Sequence, residues 1–419
     1  MPTCIVQLER TSAITHRPVR RARRKGAIWL GFLFILLIFI ASLALVVNWT
    51  YGLLLQRHQQ RLCDVITLVA VEQLLDEGLL ADDPIIDPQT NQSDDVIAVQ
   101  DAILDPSLGL LKLNNDVVAA PFRPSASDLQ IKVGHLDDAS LSPQAEVSQG
   151  LPNFTTNPAG PLYNTLWLDI RRGPDSMRRV FPLIRGIIKD TEYQLSLGSA
   201  AFATLDSRVT GYRPVDSSIY PDTNKNAPLL PLAVNKKAWF DTRPTLGDSN
   251  GNGRRELWLE LKETAADVAN AALIDFDVAL SINEADLPNQ IENGLRADLV
   301  TTGEFGPTHP AGPYSVDGSE FSPSNLADVQ AAFQAIIGTN RAKRVLPFFT
   351  TFSSTLPIEG FVGAEILAVD TAASRLRVLV EPAFVPHSTA VTQRTITDNS
   401  AQNHDVDENR YVYKIRLTQ

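Results

Sequence analysis

Cysteine is scarce in this chain, with only Cys4 and Cys63 among 419 residues, which excludes a disulfide-stapled scaffold. A chain this long can bury a core without such staples. Cysteine and histidine are nowhere spaced as zinc ligands. The histidines, at 16, 58, 135, 309, 387 and 404, are scattered, and no H-x-x-x-H or H-E-x-x-H pattern occurs. No G-x-S-x-G elbow, P-loop or G-x-G-x-x-G follows a strand-like run. With none of these frameworks the chain is not read as an enzyme, and no catalytic residue is assigned. Carboxylates are abundant, but in an acidic chain they read first as a solvated face.

Charge is the other absence, and it is local. Gly26–Val47 runs for 22 residues without one formal charge, directly after six basic residues packed into Arg17–Lys25. A helix needs about 20 apolar residues to cross the hydrocarbon core of a bilayer. Basic flanks stay cytoplasmic. The expected topology is a single span with a cytoplasmic N-terminus and the bulk of the chain outside the cytoplasm. Cys4 and Cys63 then lie on opposite sides and cannot pair. A signal peptidase site at Ser42-Leu43-Ala44 is the rival reading, but the apolar run continues through Leu45-Val46-Val47, and a retained anchor is expected.

Overall charge fits this topology. Residues 1–25 carry seven Lys/Arg and one Asp/Glu, whereas residues 51–419 carry 30 Lys/Arg and 47 Asp/Glu, giving the formal −11. An acidic exterior repels phosphate backbones, so nucleic acid is excluded as a partner. Topology and lipid headgroups account for the basic cluster.

Beyond the span, Leu53–Leu75 contains no proline, and Leu55, Leu62, Val65, Ile66, Val69 and Leu74 recur at helical spacing among polar residues. That pattern predicts an amphipathic helix continuous with the span, ending near Gly78 and Pro84. Leu62, Val65, Ile66 and Val69 are its candidate partner-packing face; docking on the chain's own domain is the other use of that face. Residues 81–160 hold twelve Asp/Glu against three Lys/Arg, with Asp-Pro punctuation at 83–84, 87–88 and 105–106. They read as a loop-rich linker with one short helix near Val96–Leu104. From Pro161 onward strands dominate, at Leu166–Ile170, Leu257–Leu261, Val378–Val380 and Tyr411–Leu417. Two Trp-centred strands 91 residues apart, around Trp167 and Trp258, suggest a degenerate duplication, with convergent strand composition as the other explanation. Ser322-Pro323 opens a helix with Leu326, Val329, Phe333 and Ile336 on one face, ended by Gly338.

One constellation resembles a metal site. Asp248, Asn250, Asn252 and Glu256 occupy positions 1, 3, 5 and 9 of a calcium-type loop, with Gly253 at position 6. Leu259 stands at position 12, where a bidentate carboxylate is needed, and Arg254 and Arg255 lie within the loop. An Asn/Gly turn uses the same residues without a metal. The turn is the expectation, with calcium as its alternative and no other cofactor.

Arg23-Arg-Lys-Gly26-Ala27, the apolar span, Asn48, Gln60 and Asp64-Val-Ile-Thr-Leu-Val-Ala70 together resemble the N-terminal segment of TadE/TadG-like proteins of Flp (Tad) pilus assembly. Gly26, Asn48, Gln60 and Asp64 are the matching positions, over about residues 20–78. Asn48 replaces the family's acidic residue, and Gly31 stands where prepilin-type processing after Gly26 expects Glu. The resemblance implies a component anchored in a bacterial inner (cytoplasmic) membrane, with its bulk periplasmic, that contacts membrane lipid and other pilus or secretion-apparatus proteins.

The expected class is α+β: a single N-terminal transmembrane helix continuing into an amphipathic helix, then a β-rich extracytoplasmic region. Its divisions are a basic terminus 1–25, span 26–48, membrane-proximal helix 49–80, linker 81–160 and domain 161–419, the last divisible at 290/291. Two rivals to pilus assembly are a membrane-tethered surface binding module, stabilised by calcium, and an exported hydrolase on a signal anchor.

Overall fold

The computed structural model describes residues 22–75, 96–118, 123–138, 141–146, 152–156, 163–172, 197–215, 226–260, 270–274, 276, 286–300, 304–306, 323–351, 357–370, 376–392 and 411–418. Gly78, Pro84, Ser322 and the 183–197 and 279–282 portions of the duplication lie wholly or largely outside them, as do Cys4 and Arg17–Arg21.

A single helix, α1, runs unbroken from Ala22 to Val71. No proline or glycine pair interrupts it, and its serine and threonine hydroxyls fold back on the preceding turn, Ser42 Oγ donating to Ile38 O and Thr50 Oγ1 to Val46 O. This satisfies hydroxyls in an otherwise apolar rod. Trp29 is 73% exposed and Leu45 72%. The helix is long and apolar enough to cross a membrane.

The chain forms two compact units. Within the described residues the first consists of α1 as far as Leu55. The second comprises residues 56–179 and 196–419 and holds two six-stranded sheets.

The first sheet contains β1 (Leu129–Leu136), β2 (Phe154–Thr155), β3 (Thr165–Arg172) and β4 (Leu197–Asp206). The second contains β6 (Leu232–Asn235), β7 (Leu257–Glu260), β8 (Ala271–Leu273), β9 (Lys343–Phe349), β10 (Gly360–Asp370) and β11 (Arg377–Pro382). The later strands β12 (Val385–Pro386) and β14 (Val412–Thr418) return to the first sheet, giving the order β12-β14-β4-β3-β1-β2. Strands β5 (Val209–Tyr212) and β13 (Ala390–Thr392) form a separate antiparallel pair.

One face of the first sheet is covered by helix. Leu62, Cys63 and Ile66 of α1 pack with Leu111, Leu168, Ile170 and Ala201. Ala70, Val71 and Leu74 pack with Ile103, Val133, Leu166, Ala203 and Leu205. Leu111 and Ile103 belong to helix α2 (Val96–Val117), which therefore runs antiparallel to this part of α1. On the other face, Lys132 lies 4.7 Å from the Trp167 ring, and Phe154 meets Phe202 edge-on at 5.3 Å.

The described residues within 81–160 thus carry more regular structure than a loop-rich linker. The expected short helix extends to Val117, with Pro106 inside it, and β1 pairs with β3 over six residues. The two Trp strands take unlike places, β3 in the sheet interior and β7 at an edge.

The second sheet runs β7-β11-β10-β9-β6-β8 and is buried on both faces, so its strands read as continuous apolar runs. One core gathers Val234, Leu259, Phe348, Val362 and Val378 with Leu287 and Ile291 of α3 (Leu287–Asn293) and Val329, Phe333 and Ile336 of α4 (Pro323–Ile336). The predicted apolar face of α4 is therefore found as written, with Leu326 packed at its margin. Gly338 has φ 71°, the left-handed turn that stops such a helix. The opposite core is built around Tyr212, Phe305, Phe349 and Phe361.

Asn270 joins the two edges of this sheet. Its carbonyl accepts from Asn235 N on the β8 side. Its side chain accepts from Glu260 N and donates to Trp258 O on β7, both at 2.7 Å. A side-chain amide thus stands in for a strand and blunts an otherwise open edge.

Candidate functional site

The helix that continues from the apolar span is where structure and predicted function meet. Its four partner-face residues do not share one environment. Leu62 and Ile66 are buried in the domain core, Ile66 completely, whereas Val65 is 50% and Val69 41% exposed. At 100° per residue, Leu62–Ile66 and Val65–Val69 are separate i,i+4 pairs. The first pair docks on the chain's own sheet. The second lies on an outward stripe with exposed Arg57 and Arg61.

Sequence periodicity missed a polar stripe that fixes the helix to the sheet. Gln59, Cys63 and Thr67, at i, i+4 and i+8, are all buried. Gln59 Nε2 donates to Ile170 O, and Cys63 Sγ lies 3.3 Å from Ser199 O and 3.5 Å from Leu168 O. Thr67 Oγ1 turns back to Cys63 O. Small or hydrogen-bonded side chains let a helix approach strand backbone without orphaning buried polar atoms. Cys63 is the small apolar helix-face residue that its sequence setting suggests, but a hydropathy pattern counts Gln59 and Thr67 as the solvated side, which is why the stripe was hidden. Burial, with Asp64 and Asp169 nearby, pushes the Cys63 thiol up to about 12. It is a small core residue, not a nucleophile.

Gln60 and Asp64 also acquire roles. Gln60 Nε2 donates to Asp64 Oδ1 at 2.9 Å and to Ala200 O of β4 at 3.0 Å. Strand β14 pairs with β4 only from Phe202 onward, so Ala200 lies on a stretch that β14 does not cover. Gln60 caps that carbonyl, and Asp64 holds the amide in place. Asn48 is half-buried on α1, and Gly26 lies within the same helix.

The Asp248–Glu256 loop closes on itself. Gly251 and Gly253 adopt φ of 75° and 86°, and their N–H groups donate to the two Asp248 carboxylate oxygens at 2.8 and 2.6 Å. Desolvation opposes ionisation of Asp248, but the N–H groups of Gly253, Gly251, Asn252 and Asn250 outweigh it and hold this carboxyl below its ordinary value. Glu256 is turned inward, accepting from Ser249 Oγ at 2.6 Å and Ser249 N at 3.1 Å.

Asn250 and Asn252 reach a partner far along the chain. Both donate through Nδ2 to Glu381 at 2.9 Å, and Arg254 Nη1 meets the same carboxylate at 3.0 Å. Glu381 is 2% exposed. The cation that neutralises this loop is thus Arg254, and each calcium-type side chain is already engaged in closing a turn over the β10–β11 hairpin. Among the described residues no three His, Cys, Asp or Glu side chains are placed to hold a metal.

Not every carboxylate lies on a solvated face. Asp138, Asp169, Asp206, Glu256 and Glu381 are all buried. Asp206 binds Arg208 at 3.0 Å and Arg416 at 3.2 Å, and Arg208 continues to Asp138 at 3.2 Å. These charges clamp β4, β14 and the end of β1 together. Net composition could not reveal them, because each partner is distant in sequence or separated by a turn.

No protein-family model, characterised protein or solved structure matches this chain.

Proposed function

We propose that the chain is a single-pass protein of a bacterial inner membrane that serves as an assembly or structural component of a Tad/Flp-type pilus or related surface apparatus. The N-terminus is cytoplasmic and the β-rich domain periplasmic, and the protein acts by contact with other proteins. The observation that carries this reading is the continuity of α1. One helix supplies both an exposed apolar stretch of bilayer length and, beyond Leu55, a core element of the folded domain. A flexible tether would separate those two jobs, whereas here one helix carries both. The N-terminal likeness to TadE/TadG-like proteins supplies the apparatus, with Gln60 and Asp64 bonded to each other at the matching positions.

Val65 and Val69 are the contact residues in this reading, because they are the apolar members of the helix face that the domain leaves uncovered. The test is photo-crosslinking from each position in cells, together with surface pilus counts in a strain lacking the chain. Crosslinks to pilus or secretion-apparatus proteins, and loss of pili restored by the wild-type chain but not by Val65→Asp with Val69→Asp, are expected. Normal pili in the strain lacking the chain would refute the assignment.

A further inference from the structure

We infer that the uncovered edge of β4 at Gly198–Ala201 is a strand-acceptor site, where an extended, acidic segment of a partner protein adds to the first sheet. The site lies wholly within the folded domain. It therefore stands whether or not α1 crosses a membrane, and apart from the Val65–Val69 contact.

Backbone direction defines the opening. Leu205 N donates to Asn164 O beside β3, and successive residues of an antiparallel strand turn their N–H and C=O groups to opposite sides. Leu205, Ala203, Ala201 and Ser199 thus face β3, and Phe202, Ala200 and Gly198 face away from it. Strand β14 meets Phe202 through Thr418 and covers nothing before it. Among the described residues no strand pairs with the remaining edge. Gly198 and Ala200 are both exposed, and a Cβ placed on Gly198 would meet nothing within 4 Å. Main-chain groups open in this way are what strand addition uses.

Gln60 is a removable plug in that edge. Its Nε2 donates to Ala200 O at 3.0 Å and to Asp64 Oδ1 at 2.9 Å. An incoming strand N–H can take over Ala200 O while Gln60 keeps Asp64. Opening the edge then leaves neither group without a partner.

Side chains set the chemistry of the occupant. An added residue opposite Ala200 shares the sheet face of half-buried Phe202 and Trp167, whose rings lie 6.3 Å apart. An apolar side chain suits that diagonal position. The alternate residues turn toward α1, where Arg57, Gln60 and Asp64 share one flank at i, i+3 and i+7 and Arg61 adjoins them. Arg57 and Arg61 are exposed, and the Arg171 side chain at the end of β3 is 68% exposed. The carboxylates here are engaged, Asp64 with Gln60 and buried Asp169 with Arg171 at 2.5 Å. Residues 51–419 carry 47 Asp/Glu against 30 Lys/Arg, so an edge flanked by exposed arginines stands out and selects an acidic strand. A second copy's β4 would bring the same arginines together, which disfavours self-pairing.

The test uses the full chain in detergent micelles and reads residue-resolved hydrogen–deuterium exchange at Ala200. The probes are three acetylated, amidated seven-residue peptides: alternating valine and glutamate, alternating valine and lysine, and the first peptide N-methylated at its valines. The glutamate peptide should slow exchange at Ala200 several-fold and leave Ala203 unchanged, whereas the other two should leave both unchanged. Arg57→Glu with Arg61→Glu, two changes on exposed helix surface, should transfer the effect to the lysine peptide. No slowing by the glutamate peptide would mean that the arginines merely guard the edge, and would overturn the inference. Equal slowing by the glutamate and lysine peptides would overturn the acidic partner, and slowing by the N-methylated peptide would overturn strand addition. Protection of Ala200 that rises with chain concentration in the absence of peptide would identify a second copy as the occupant and also overturn it.

Discussion

Changing Ile66 and Val65, adjacent residues of the same helix, should have opposite consequences. Ile66 is completely buried and packs with Leu62, Leu111, Leu168 and Ile170. Truncating such a side chain costs about 2–5 kcal/mol, from lost transfer energy and the cavity left behind. Whole-domain stability is typically about 5–15 kcal/mol, so Ile66→Ala should remove a substantial part of it. Ile66→Asp adds an unpaired carboxylate in an apolar site and should leave no folded domain. Val65 is half exposed, and surface changes of that kind usually fall within about 0.5 kcal/mol. The assay is thermal unfolding of the full chain in nanodiscs, followed by near-UV circular dichroism and limited proteolysis. At roughly 2–4 °C per kcal/mol for a large domain, Ile66→Ala should lower the midpoint by several degrees and Val65→Asp by a degree or so. Equal shifts for the two would refute the helix orientation. If Val65→Asp unfolds the domain, the outward stripe is buried after all.

The Cys63 thiol should resist alkylation in the folded chain and react only on unfolding; because its folded pKa is raised, stability should be full below the ordinary thiol range and decline as pH rises from there toward about 12. Arg254→Ala should cost about 3–5 kcal/mol by leaving the buried Glu381 carboxylate unpaired, whereas millimolar calcium should move the wild-type midpoint by no more than about a degree, since even weak extracellular sites bind at about 10⁻⁴–10⁻³ M; a calcium shift of several degrees abolished by Asp248→Ala would restore the metal reading. Asn270→Ala removes two hydrogen bonds at the sheet junction and should cost about 1–3 kcal/mol, read as faster amide exchange at Glu260. Membrane-extracted chain should have the intact mass of an uncleaved N-terminus; a chain beginning at Ala27 or Leu45 would show processing.

Several elements were legible because a single local signal decided them. The apolar span, its unbroken helical continuation to Val71, the face of α4 and the strands around Trp167, Trp258 and Val378 all follow from periodicity, composition or a terminating glycine. The Asn/Gly turn at 248–253 was visible for the same reason. What stayed hidden depended on pairing across distance. Gln59 and Thr67 look like solvent residues until β3 and β4 lie against them. Leu62 and Val65 look equivalent on a hydropathy wheel, and only the position of the sheet separates them. The 81–160 region read as linker because its acids and prolines are local, whereas the six-residue pairing of β1 with β3 is not.

That division bears on function. The buried Gln59, Cys63 and Thr67 stripe makes α1 inseparable from the domain, so the segment resembling a pilus-assembly anchor also serves as a core helix. A core helix of this kind cannot slide or rotate without breaking its bonds to Ile170, Ser199 and Ala200. Its outward face is consequently presented at a fixed angle. Along that face Arg57 and Arg61 come first in the chain and Val65 and Val69 follow. In the proposed assembly role Val65 and Val69 are the pair that meets a protein neighbour. Exchanging the two pairs, Arg57→Val and Arg61→Val with Val65→Arg and Val69→Arg, keeps composition and net charge but inverts the order. Such a variant should fold normally and fail in assembly. If it assembles pili as well as the wild type, the stripe is ordinary solvated surface and the contact lies elsewhere on the domain.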